Sequence, residues 1–189
     1  MRKNGYQAIA IGASAGALEA LSVILPALPA GFRLPVFIVV HVPPDKRSIL
    51  AELLQAKCAI HVREADDKEP VAGGTAYFAP PDYHLLVEST GTLALSGEEA
   101  VLFSRPSIDV LFESAADAYG PGLIAVVLSG ANQDGAQGLR HVADAGGTAL
   151  VQQPLTAYAS AMPQAAIAAC PEATVMTPEA MAAFLKRIV

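Results

Sequence analysis

The sequence predicts an α/β protein with a doubly wound, mostly parallel sheet of the Rossmann-like kind and a small antiparallel hairpin region. Short apolar runs alternate with stretches of helical spacing, and glycine or proline residues separate them. Apolar residues make up 53% of the chain and charged residues only 16%, a balance that suits strands buried on both faces. The 189 residues suffice for one covered core, so we expect residues 1–189 to form a single domain.

The individual elements follow from the pattern in order along the chain. Apolar runs bounded by glycine or proline predict buried parallel strands at residues 8–11, 36–40, 123–128 and 148–151. Apolar residues at helical spacing predict helices at 18–28, 107–120 and 139–143, and a last helix that begins at Thr177 and Pro178.

The middle of the chain, about residues 59–97, has a different character. The segments "AIHVREA", "TAYFAP", "HLLVES" and "TLALSG" resemble short strands, and Thr90-Gly91 predicts a tight hairpin. We expect this region to be an antiparallel insertion or edge of the same domain.

Composition excludes several classes of function. The net charge of −6, the absence of Trp and an aromatic content of 6% argue against a nucleic-acid-binding surface, which needs a basic stripe. No apolar run reaches the roughly 18 residues that a membrane-spanning helix needs, so no membrane insertion is expected. The histidines show no ligand spacing, so no metal site is expected. Cys58 and Cys170 lie far apart without a CxxC motif, which predicts reduced thiols in a cytoplasmic protein.

Three polar residues follow predicted strands. Ser14 follows the first strand, His41 ends the second, and Asp134 follows the strand at 123–128. Ligands of open α/β sheets bind beyond the carboxyl ends of the strands, so these side chains are candidates for one site. A hydroxyl, an imidazole and a carboxylate are the members of a Ser-His-Asp relay.

Each candidate also has an alternative interpretation. Gly12-x-Ser14-x-Gly16 fits a nucleophile elbow, but also a phosphate-binding turn or a serine N-cap. His41 could be a buried structural histidine, although a strand end before Pro43-Pro44 favours an open site, and a dinucleotide-binding unit would carry an acid there. Asp134 alone favours a cap for a helix starting near Gly135, whereas beside Ser14 and His41 the relay is favoured.

Other polar residues are weaker candidates. His61, His84 and His141 are expected to be structural or solvent-facing. Arg105 could hold an acidic substrate or a carboxylate of this chain. The glycines that flank Asp134 would let backbone amides approach a ligand closely, so an oxyanion site nearby is plausible.

Six stretches together resemble the catalytic domain of the chemotaxis receptor methylesterases, the CheB family. They are "IGASAGALEAL", "VVHVPP", "TAYFAPPDYHLLV", "SRPSIDVLFESAADAYG", "AVVLSGANQDGAQGL" and "ASAMPQAAI", in the family's order. The resemblance implies hydrolysis of glutamate methyl esters on the cytoplasmic helices of chemoreceptors, and deamidation of particular glutamines by the same route. It implies Ser14 as nucleophile, His41 as general base and acid, and Asp134 as orienting carboxylate. It also implies a reaction that requires no metal and no organic cofactor. Ala131 and Ala15 are the implied oxyanion candidates, with Arg105 a candidate substrate contact.

Several positions depart from the family's pattern. Ala15-Gly16-Ala17 replaces the usual Thr-Gly-Gly, Val40 replaces a Gln, and Ala131-Asn132 replaces Met-Gly. These changes bear on substrate fit and rate more than on the triad, because a backbone donor survives a change of side chain. The family's N-terminal receiver domain is absent from the sequence, so a separate regulatory protein, unregulated activity and an excised fragment are all alternatives.

Two rival functions remain at this point. One is an esterase or amidase of the same fold with another substrate. The other is a catalytically idle Rossmann-like module that binds a nucleotide or a signalling partner. The residue that distinguishes them is His41, which occupies the position where a dinucleotide-binding unit would carry an acid.

Overall fold

A computed structural model describes residues 5–42 and 49–188. Its main feature is a seven-stranded sheet. The strands of this sheet are β1 (Ala8–Ala13), β2 (Val36–Val40), β3 (His61–Glu64), β4 (Thr75–Phe78), β7 (Leu123–Val127), β8 (Thr148–Gln152) and β9 (Thr174–Met176). They lie in the order β3-β4-β2-β1-β7-β8-β9, and every neighbouring pair is parallel. A separate antiparallel hairpin consists of β5 (His84–Val87) and β6 (Leu93–Ser96).

Helices cover both faces of the sheet, because its central strands are apolar on both sides. The helices are α1 (Ala17–Ile24), α2 (Leu50–Gln55), α3 (Ile108–Tyr119), α4 (Ala136–Asp144), α5 (Ala161–Ala169) and α6 (Pro178–Arg187). Ala8 and Ala10 of β1 face a core formed with α3, α4, α5 and the hairpin. Ile9 and Ile11 face the opposite core, formed with α1, α2 and α6. The doubly wound α/β fold class is confirmed.

The predicted strands and helices occur at their expected places, and Thr90-Gly91 forms the hairpin turn. There the amide of Glu88 donates to Thr92 O at 2.9 Å and that of Gly91 donates to Glu88 O at 3.0 Å. The elements β9, α2 and α5 have no counterpart among the predicted ones. Within the described residues, no helix is both long enough and apolar enough to cross a membrane.

The expectation of an antiparallel region over residues 59–97 is only half right. The strands β3 and β4 belong to the main sheet and pair in parallel, with His61 beside Thr75, and β4 pairs in parallel with β2. All four residues of β4 are buried, as in a strand covered on both faces. Pairing direction is set by the route of the connecting chain, which the local apolar pattern does not encode.

The end of β1 packs directly on the start of α3. A Cβ atom on Gly12 would lie 2.2 Å from Cγ2 of Ile108, the first residue of α3, so only glycine fits there without movement. This close approach brings the N-terminus of α3 to the carboxyl edge of the sheet.

A buried carboxylate at the N-terminus of each of the helices α3 and α4 accepts hydrogen bonds from the N-terminus of the other helix. Asp134, just before α4, accepts hydrogen bonds from the amides of Ile108 at 2.7 Å and Asp109 at 3.0 Å in the first turn of α3. Asp109 in turn accepts from the amides of Gly135 at 3.0 Å and Gly138 at 2.6 Å, at the start of α4. Each carboxylate satisfies amides that have no partner within their own helix, so the two helix ends are held in fixed relation.

Burial raises the pKa of Asp109. The amide of Gly138 opposes the rise and the charge of Asp134 adds to it, which brings the pKa from its ordinary 3.8 to about 6. The folded protein therefore holds the Asp109 proton more tightly than the unfolded chain does. The corresponding stabilisation is fully present below pH 4 and is lost as the pH rises through 6.

We expect Gly12→Ala to lower the free energy of unfolding by about 1–3 kcal/mol, because Ile108 must move to admit the methyl group. Urea unfolding followed by circular dichroism measures the change. Gly31→Ala is the matched control, because a Cβ on Gly31 would meet nothing within 4 Å. Equal stability of both variants would show that the contact between β1 and α3 is not tight.

We expect Asp109→Asn to reduce the pH dependence of stability between pH 4 and pH 7. The amide oxygen can still accept from Gly135 and Gly138, but the group no longer titrates. Relative to the variant, the wild type should lose up to about 3 kcal/mol across this range, from the pKa difference. Urea titrations at several pH values measure both slopes, and parallel slopes would contradict the expectation.

Candidate active site

Ser14 lies in the turn that joins β1 to α1. Its amide donates to Ser129 O at 2.9 Å, and its carbonyl accepts from the Ala17 amide at 3.0 Å. The N-cap of α1 is Gly16, with φ of +83°, a conformation that glycine adopts without strain. The structure therefore does not use Ser14 as the helix N-cap, which was one of its alternative interpretations.

Two buried polar residues that sequence analysis missed support this turn. Ser129 Oγ donates to Ala15 O at 2.6 Å and accepts from the Ala159 amide at 2.9 Å. The Ser129 amide donates to Gln152 Oε1 at 2.9 Å, and Gln152 Nε2 donates to Thr156 O at 3.1 Å. Ser129 follows β7 and Gln152 ends β8, so the ends of two strands fix the backbone on either side of Ser14.

His41 comes directly after β2, one strand away from Ser14 in the sheet. Its amide donates to Ala13 O at 3.1 Å, which continues the pairing of β1 with β2. Its Nε2 lies 2.7 Å from Oδ2 of Asp134, and 13% of its side chain is exposed. The Pro43-Pro44 pair that favoured an open site lies outside the described residues.

Asp134 is fully buried and accepts four hydrogen bonds. Besides His41 and the amides of Ile108 and Asp109, Ser107 Oγ donates to its Oδ1 at 2.9 Å. Burial alone would raise the pKa of Asp134, but the hydrogen bonds from His41 and the two amides outweigh burial and hold the pKa below its ordinary value. Asp134 is therefore a carboxylate at neutral pH. It caps α3 rather than the helix that follows it, whose N-cap is Gly135.

An ionised Asp134 fixes the state of the His41 ring. A carboxylate only accepts hydrogen bonds, so Nε2 of His41 carries the proton that it shares with Asp134. In the neutral imidazole the other nitrogen, Nδ1, then has a free lone pair. The atom of His41 that can take a proton is Nδ1.

A cavity of about 480 Å³ opens over these residues. Ser14, His41, Arg105 and Asn132 belong to its lining, together with Val42, Asp82, Ala100, Phe103, Ser104 and Pro106. The structure thus brings Ser14, His41 and Asp134 to one end of the sheet. Ser14 and His41 line the cavity, and buried Asp134 contacts the His41 ring. Their catalytic roles stay predictions.

The oxyanion and substrate candidates fall around this cavity. Ala15 and Ala131 are next in sequence to the lining residues Ser14 and Asn132. Arg105 lines the cavity, but its guanidinium donates to Asp82 Oδ1 from Nε at 2.9 Å and from Nη2 at 2.5 Å. It also donates from Nη1 to Gly97 O and Glu98 O. Arg105 therefore holds a carboxylate of its own chain, the second of its two predicted uses.

The remaining histidines have other partners or lie at the surface. His84 is buried, with Nε2 2.9 Å from Glu99 O and Nδ1 accepting from the Ser107 amide at 3.1 Å. His141 pairs with Asp117 at the surface, and His61 is exposed. Among residues 5–42 and 49–188, no group of three or more His, Cys, Asp or Glu side chains could hold a metal ion.

Comparison with known proteins places the chain in a family. A family model described as CheB methylesterase matches residues 9–185. A Leptospira interrogans protein, provisionally named protein-glutamate methylesterase/protein-glutamine glutaminase, is 46% identical over 97% of this chain and 95% of its own length. An Archaeoglobus fulgidus protein-glutamate methylesterase/protein-glutamine glutaminase is 36% identical over 84% of this chain. The match spans 46% of that longer relative.

A solved structure agrees with these sequence matches. The crystal structure of the Thermotoga maritima CheB methylesterase catalytic domain superposes with a TM-score of 0.92 at 31% identity. The superposition covers 98% of this chain and all of that one. Sequence and fold lead to the same conclusion: this chain belongs to the CheB methylesterase family.

Proposed function

We propose that this chain is a serine hydrolase that removes methyl esters from glutamate side chains on the cytoplasmic helices of chemoreceptors, and so acts in the cytoplasm. We propose also that it deamidates particular glutamines of the same helices by the same route. The observation that carries the proposal is the 2.7 Å contact of Nε2 of His41, which lines the same cavity as Ser14, with buried Asp134. Membership of the CheB methylesterase family and the names of the relatives support the substrate class.

The first half-reaction forms an acyl-enzyme. Nδ1 of His41 takes the hydroxyl proton of Ser14 while Oγ attacks the ester carbon. Asp134 stabilises the imidazolium through its hydrogen bond to Nε2, at no cost of reorganisation because three further donors already fix the carboxylate. The negative carbonyl oxygen is stabilised by backbone amides, for which Ala15 and Ala131 are the candidates. Collapse breaks the ester bond, and methanol leaves with the proton from Nδ1.

The second half-reaction reverses these roles. Water gives a proton to Nδ1 and attacks the acyl carbon, and the same amides stabilise the oxyanion. The bond to Ser14 Oγ breaks, Oγ recovers the proton from Nδ1, and the glutamic acid side chain leaves and gives its own proton to the solvent to become a carboxylate. A glutamine side chain follows the same course with ammonia as the leaving group.

We expect Ser14→Ala to lower methanol release from a methylated receptor fragment by at least 1000-fold, because no acyl-enzyme can form. Gas chromatography of the released methanol measures the rate, and circular dichroism checks that the variant folds. A fluorophosphonate should label the wild type and leave the variant unlabelled. Equal methanol release from both proteins would remove Ser14 from the mechanism, and a wild type that resists the label but binds a nucleotide would favour the idle binding module.

We expect Asp134→Asn to lower kcat by about 1000-fold or more, as loss of the orienting carboxylate does in other triads. Each carboxylate oxygen accepts two hydrogen bonds, so an amide nitrogen at either position meets a backbone donor. The variant should therefore also lose about 2–5 kcal/mol of stability. Steady-state kinetics and urea unfolding measure the two effects. Reduced stability with undiminished kcat would limit Asp134 to its capping role.

A further inference from the structure

A tight turn with unusual backbone geometry borders the cavity. The amides and carbonyls of Val101 and Ser104 pair with each other, at 3.0 Å and 2.8 Å. Between them, Leu102 has φ of +49° and Phe103 has φ of +63°. Turns of this kind favour Asn and Gly, because positive φ is unfavourable for bulky side chains. The chain thus tolerates two strained residues in succession at this point.

The strained turn places the ring of Phe103 at the edge of the cavity. Phe103 is fully exposed, yet it belongs to the same cavity lining as Ser14 and His41. A single exposed apolar side chain is common on protein surfaces. An exposed ring on a strained turn beside a candidate nucleophile is unusual, because backbone strain persists mainly where function maintains it.

The chain on both sides of the turn is firmly held. Arg105 Nη1 donates to Gly97 O at 3.0 Å and Glu98 O at 2.9 Å, and the same guanidinium pairs with Asp82. Buried His84 bonds Glu99 O on one side of the turn and the Ser107 amide on the other. The loop is therefore anchored before binding, which lowers the entropic cost of docking a partner on it.

A second exposed ring lies beside the Ser14 turn. Tyr158 is 75% exposed, and its Cβ packs so closely on Gly16 that a Cβ added there would be 2.5 Å from it. The Ala159 amide donates to Ser129 Oγ, and the Gly130 amide donates to Ala159 O at 3.0 Å. The backbone next to Tyr158 is thus held by the same network that positions Ser14.

We infer that Phe103 and Tyr158 dock the apolar side of an amphipathic substrate helix. In this arrangement the target glutamate enters the cavity, while an apolar side chain one turn away packs on Phe103. Residues three or four apart are neighbours on a helix, so a side chain that reaches Ser14 brings such a neighbour to the rim. The guanidinium of Arg105 is paired with Asp82, so the ring of Phe103 rather than Arg105 is the contact that we assign to the helix. The inference rests on the proposed function and adds how the substrate is recognised.

The test compares two substrates in three proteins: wild type, Phe103→Ala and Leu102→Ala. The substrates are a methylated receptor cytoplasmic fragment and p-nitrophenyl acetate, which is too small to reach the rim. For Phe103→Ala we expect kcat/KM on the fragment to fall about 10-fold or more, mainly through KM. Its loss on the small ester should be at least five-fold smaller. Leu102→Ala changes the other strained residue of the turn, which is not among the cavity-lining residues, and should leave both activities within two-fold of wild type.

The outcomes separate the two proposals. Unchanged kinetics of Phe103→Ala on the fragment, or equal losses on both substrates, would overturn the docking role while leaving the esterase intact. A similar loss in Leu102→Ala would also overturn it, since the turn itself and not the ring would then matter. A wild type that hydrolyses p-nitrophenyl acetate but releases no methanol from the fragment would overturn the proposed function and the docking role together.

Discussion

The site depends on the burial of one carboxylate. Asp134 is fully buried, and a buried charge is tolerated only when hydrogen bonds replace the lost water. Here the donors come from His41 after β2 and from residues 107–109 at the start of α3. The carboxylate therefore joins three segments that are far apart in the chain. The sequence left Asp134 with two alternative roles, a helix cap or a member of the relay. In the structure Asp134 caps α3 and also contacts the imidazole of His41, because its two oxygens accept four hydrogen bonds.

The segment after β7 supports both halves of the site. Ser129, two residues after the end of β7, holds the Ser14 turn, and Asp134, further along, contacts His41. This follows from the topology, because β1 lies between β2 and β7 and the carboxyl ends of all three strands share one edge. The close contact of Gly12 with Ile108 completes the arrangement by bringing α3 against the same edge. Preorganisation of this kind is what lets a hydroxyl and an imidazole act without rearrangement.

The antiparallel hairpin and the loop after it have a different structural role from that of the parallel sheet. The sheet supplies the candidate relay residues, whereas His84 of β5 and Arg105 hold the chain that forms one wall of the cavity. The candidate relay residues are therefore fixed by the rigid core. This wall of the cavity is built by a segment added to the doubly wound core, where a change of sequence leaves the core intact.

The sequence by itself determined the class of fold, most elements and which residues are candidates for a relay. Apolar runs reveal buried strands, and a polar residue after such a run must lie at the shared edge of a parallel sheet. Only tertiary structure decided that β3 and β4 pair in parallel, because short apolar runs look alike in either direction. Only the tertiary structure also shows which hydrogen bonds are made by Ser107, Asp109, Ser129 and Gln152. These residues are common in turns and caps, and their buried partners, often more than twenty residues away, are set by how helices and strand ends meet in space rather than by any local pattern.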